Sequence, residues 1–109
     1  MSKNWNELRE GAGRVIDKLS AEAVRLGDAA SMKLKLEACR GRLNNEYALL
    51  GRLTYAKLKV GKDNAEQIDA AMGRITELRL AEKEILRDIE EAKAEKTAIK
   101  EAEKALNDK

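Results

Sequence analysis

Between Ile68 and Leu106, apolar side chains recur at alternating steps of three and four, and the 109-residue chain contains no proline to interrupt them. Ile68, Ala71, Ile75, Leu78, Ile85, Ile89, Ala92, Ile99 and Leu106 form this stripe, with Glu82, Lys96 and Glu103 as charged intruders in the same frame. Such spacing aligns one face of an α-helix and predicts a partner along its length. A helix over residues 64–107 spans roughly 65 Å at 1.5 Å per residue.

Glycine and capping residues must therefore supply the breaks. Val60-Gly61-Lys62-Asp63-Asn64 is the clearest, since Gly61 can adopt the left-handed conformation that ends a helix. Asp63 with Glu66 has the spacing of a capping box, and Asn64 with Gln67 is the alternative. A short link of this kind (residues 61–63) makes the flanking helices antiparallel.

Upstream, over residues 28–60, Met32, Leu36, Cys39, Leu43, Tyr47, Leu50, Leu53 and Leu58 form a second stripe. Leu34, Leu49, Ala56 and Val60 widen it beyond the needs of one neighbour. Residues 2–27 form a third amphipathic unit, with Trp5, Leu8, Ala12, Val15, Ile16, Leu19, Ala23 and Leu26 on one face. Gly27-Asp28 either bends the chain or is a soft spot in a continuous helix. The expected fold is all-α: a long, coiled-coil-like antiparallel hairpin with an additional N-terminal helix, in a single domain.

Composition agrees, and it removes most chemistry. Charged residues are 39% of the chain and aromatics 3%, which suits long helices and not a sheet. With no histidine and one cysteine, neither an imidazole-based triad nor a four-ligand zinc site can be assembled. No glycine-rich phosphate loop joins a strand to a helix. These features predict a non-enzymatic protein without cofactor or metal. Cys39 lies on the apolar stripe and reads as a small buried hydrophobe, and a lone cysteine without a signal-peptide pattern fits a cytoplasmic location.

Charge is partitioned along the chain. Residues 28–60 carry seven Lys/Arg against three acids, and residues 61–109 carry ten against thirteen. A basic helix lying on an acidic one is the expected result. Lys33, Lys35, Arg40 and Arg42 are the densest basic cluster, yet the excess is too small to favour a nucleic-acid surface.

Met32-Lys33-Leu34-Lys35-Leu36, the run Tyr47-Ala48-Leu49-Leu50-Gly51-Arg52-Leu53-Thr54-Tyr55, and the return helix from Ile68 through Ile89 carry a resemblance. The chain resembles small helical-hairpin proteins of Firmicutes, many of which continue into a C-terminal zinc ribbon. Here Leu106-Asn107-Asp108-Lys109 closes the sequence without a Cys-x-x-Cys pair, so the resemblance implies the hairpin and no zinc. It implies no particular activity.

The functional expectation is a structural or protein-interaction module that self-associates through amphipathic helices. A homo-oligomer is the first expected partner state, and another helical protein would fit the same surfaces. The residues nominated for contact are Trp5, Leu8, Val15, Ile16 and Leu19 on the first helix and Leu43, Tyr47, Leu50 and Leu53 on the second. The alternative is a peripheral membrane protein anchored by the N-terminal helix, where Trp5 and flanking cations suit a headgroup boundary. There Glu7, Glu10, Asp17 and Glu22 offset Arg9, Arg14, Lys18 and Arg25.

Overall fold

The computed structural model describes residues 5–23 and 28–108, with side chains described for residues 5–18 and 29–108. Three α-helices account for nearly all of it: α1 (Trp5–Ala23), α2 (Asp28–Tyr55) and α3 (Ala65–Asn107). No strand occurs among the described residues. The molecule is a rod of 74 × 24 × 22 Å.

α2 and α3 form the antiparallel hairpin. Cross-helix bonds fix their register: the Arg40 Nε donates to Glu82 at 2.9 Å, and the Arg74 Nε donates to Glu46 at 2.7 Å. The two pairs run in opposite senses, one cation on α2 and the other on α3. The helices are therefore stitched by individual pairs and not by one basic face on one acidic face. All four side chains are partly solvated, so each pair adds at most about 1 kcal/mol.

The first helix does fold back. Ala12 of α1 is buried in one cluster with Cys39 and Leu43 of α2 and Ile75, Leu78, Ala81 and Ile85 of α3. On a continuous helix Ala12 and Leu43 would stand about 46 Å apart at 1.5 Å per residue. The broad apolar face of α2 thus has the two neighbours that its width demanded, α1 and α3. The Gly27 break itself lies outside the described residues.

The core is thin and sits mid-rod. Among the described residues Cys39 is the largest side chain fully buried, and the wholly enclosed seam positions 71 and 81 are alanines. Small seam residues let the helices approach closely. Glu82, expected within the seam, lies at its rim beside Arg40, and Ala81 takes the inward position. A charge costs less at a half-solvated edge than in the interior, so a small rotation of the stripe is favoured.

α2 ends in a π-helical turn, Ala56–Val60, closed by Gly61 at φ +75°. The Gly61 N–H donates to the Lys57 carbonyl at 3.1 Å, and the Lys62 N–H donates to the Ala56 carbonyl at 3.2 Å. Neither expected capping box forms at the start of α3. Asn64 is the N-cap residue, yet its side chain makes no cap bond to α3. Instead its Nδ2 turns back and donates to the Leu53 carbonyl at 2.9 Å, which ties the turn to the limb it leaves.

Candidate interaction surfaces

With no imidazole in the chain, the remaining chemistry lies in carboxylates, cations and one thiol. Cys39 is fully buried, and its thiol donates to the Leu78 carbonyl at 3.3 Å. Burial, and secondarily the Glu82 carboxylate, push its pKa above the ordinary 9.0, against the opposing pull of Arg42 and Arg40. A protonated, enclosed thiol is a poor nucleophile. No group of three or more His, Cys, Asp or Glu among the described residues is placed to hold a metal ion.

Two open clefts flank the bundle. One, of about 270 Å³, lies where Val15 of α1 faces Arg42 and Glu46 of α2 and Arg74 and Glu77 of α3. The other, of about 340 Å³, is bordered by Arg40, Tyr47, Arg79 and Glu82. In both, cations and carboxylates alternate and in part pair with each other. Neither concentrates one sign of charge toward a ligand.

The nominated contact residues separate into two groups. Val15 and Ile16 pack on the core from α1, Leu43 is buried within it, and Leu50 packs against it from α2. Leu8 and Leu53 are half-buried. These side chains are engaged at least in part inside one chain. The reason is geometric: α1 lies against both α2 and α3, and its apolar face meets the broad stripe of α2. A membrane arrangement through that face would require α1 to leave the bundle. Trp5 and Tyr47 remain exposed, Trp5 at 60% and Tyr47 at 45%, and the Leu19 side chain lies outside the described residues. Tyr47 accepts a 3.4 Å bond from the Arg79 guanidinium at the bundle surface.

No family model, curated protein or solved structure matches this chain. The likeness to Firmicutes hairpin proteins therefore rests on its motifs alone. Among the described residues, no helix is long and apolar enough to cross a membrane.

Two further surfaces were not singled out from the sequence. The first is the far end of α3. Carrying the Arg40–Glu82 and Arg74–Glu46 register back to Asp28, where α2 begins, reaches α3 near residue 93. Every residue from 93 to 108 is exposed, including Ile99 at 55% and Leu106 at 71%. The stripe that promised a partner along its whole length thus outruns its partner. The second is the hairpin tip, where Tyr55, Leu58 and Val60 are 65%, 80% and 76% exposed. By spacing alone, Leu58 and Val60 belong to the α2 stripe. The π turn and left-handed Gly61 carry them past the end of the seam.

A third contact was legible only in three dimensions. Gly11 and Ala12 are buried, and Glu77 of α3, only 9% exposed, lies against Gly11. A methyl group at position 11 would fall within 2.8 Å of the Glu77 Cγ and closer still to its carboxyl. The sequence signal was a glycine in a helical pattern, whose cost to the helix hints at a close approach.

Proposed function

We propose that this chain is a non-enzymatic helical interaction module that pairs with a second copy of itself through the projecting end of α3. The observation that carries this reading is the exposure of residues 93–108 as a single helix without a neighbour from α2. A lone helix of this length is marginal in water, and packing against another helix would stabilise it. Its stripe is also self-complementary. Turned antiparallel about Ile99, Ile99 meets its counterpart, Ala92 meets Leu106, and Lys96 of one copy lies one residue from the position opposite Glu103 of the other, within side-chain reach. An interface of this kind is closed by a two-fold axis.

Sedimentation equilibrium on the full chain tests it. A dimer at micromolar concentration is expected, with Ile99→Asp returning it to a monomer of 12.1 kDa. Lys96→Glu should weaken pairing, and Lys96→Glu combined with Glu103→Lys should restore it. Because these positions are solvated, the fold of each copy should survive every change. A monomer throughout that range, or a dimer indifferent to Ile99→Asp, refutes the reading.

A further inference from the structure

We propose that the hairpin tip is a docking site for an anionic phospholipid surface. Tyr55, Leu58 and Val60 lie within two turns at one end of the 74 Å rod and are 65–80% exposed. No residue of the π turn Ala56–Val60 is buried, so these side chains have no role in the core. They are also held in place: Gly61 is left-handed, and Asn64 bonds to the Leu53 carbonyl. Exposure of this kind is a built feature of the turn.

The charge around them is predominantly positive. Arg52, Lys57, Lys59 and Lys62 are all exposed, and no acid occurs between residues 52 and 62. Two carboxylates lie nearby, Asp63 in the turn itself and Glu66 in the first turn of α3, so four cations face two acids. Aliphatic side chains interleaved with lysines fit a flat anionic interface, where the apolar groups enter the acyl boundary and the ammonium groups meet headgroup phosphates. Lysine stems extend the apolar contact while their charges stay in water. Neither of the two clefts that flank the bundle is lined by a tip residue, which favours a lipid surface over an acidic segment. The rod stands end-on, so α1 and the rest of the bundle do not obstruct approach.

The test is flotation of the full chain with vesicles of phosphatidylcholine alone, or of phosphatidylcholine and phosphatidylserine at two to one. Retention on the mixed vesicles is expected at low ionic strength, weakened by salt because exposed charges are screened. Leu58→Ser with Val60→Ser, and separately Lys57→Glu with Lys59→Glu, should each reduce retention at least tenfold while leaving far-UV circular dichroism unchanged. For a spectroscopic readout, Trp5→Phe combined with Tyr55→Trp should shift to the blue on mixed vesicles, whereas Trp5 in the natural chain should not. Absence of retention overturns the proposal, as does equal binding to neutral vesicles or retention indifferent to both double variants. A blue shift of Trp5 alone would also overturn it, by placing α1 and not the tip at the lipid.

Discussion

Gly11 and Gly13 lie two residues apart in α1, and replacing each with alanine isolates how that helix is seated. In an isolated helix both changes would help, by about 0.5–1 kcal/mol each, because alanine loses less backbone entropy on ordering. At Gly13 nothing lies within 4 Å of the new methyl group, so the gain should appear as added stability. At Gly11 the methyl falls 2.8 Å from the Glu77 Cγ, near the root of that side chain. Small adjustments of the carboxyl tip cannot clear it, so Glu77 must change rotamer. Displacing a carboxylate that is 9% exposed costs roughly 1–3 kcal/mol. Gly11→Ala should therefore end near neutral or destabilised by up to about 2.5 kcal/mol, and should lie about 1–3 kcal/mol below Gly13→Ala. Urea denaturation followed by circular dichroism resolves such a gap. Adding Glu77→Ala to Gly11→Ala should recover much of the loss as a coupling energy. If Gly11→Ala and Gly13→Ala give the same midpoint, α1 does not pack on α3 as described.

Other perturbations read other parts of the bundle. Folding raises the pKa of Cys39 through burial, so the fold favours the protonated thiol. Its contribution should be intact below the ordinary value of 9.0 and should be lost as pH rises through the higher folded value; a pH series of denaturation midpoints should show this alkaline loss flattened in Cys39→Ala. At the turn, Gly61→Ala should cost about 1–2 kcal/mol because φ is +75°. Asn64→Asp removes the donor to Leu53 and buries a charge at a site 3% exposed, and thermal melts should show the larger loss there. Along α3, Ile85→Ala should cost about 2–5 kcal/mol as a core truncation. Ile99→Ala, measured at concentrations too low for pairing, should stay within about 0.5 kcal/mol of the natural chain.

Helix content, the hairpin and the position of its turn were legible because they depend on local terms. Spacing of three and four, the absence of proline and the tolerance of Gly61 for left-handed backbone act over a few residues, and no distant contact opposes them. The stripe itself was readable too, although its rotation by one position, with Ala81 inward and Glu82 at the rim, depended on where Arg40 would stand. The return of α1 was not decided locally. A glycine followed by an aspartate permits either a bend or a continuous helix, and the choice belongs to the packing of Ala12, Val15 and Ile16 against a face that α2 and α3 create together. That return engages Val15 and Ile16, whose spacing alone also suits outside contacts. It also left other surfaces open, because the end of α3 and the tip lie beyond the lengths over which neighbouring helices overlap. Periodicity says which residues share a face; how far the opposing helix extends, and hence which part of that face stays in water, depends on tertiary register.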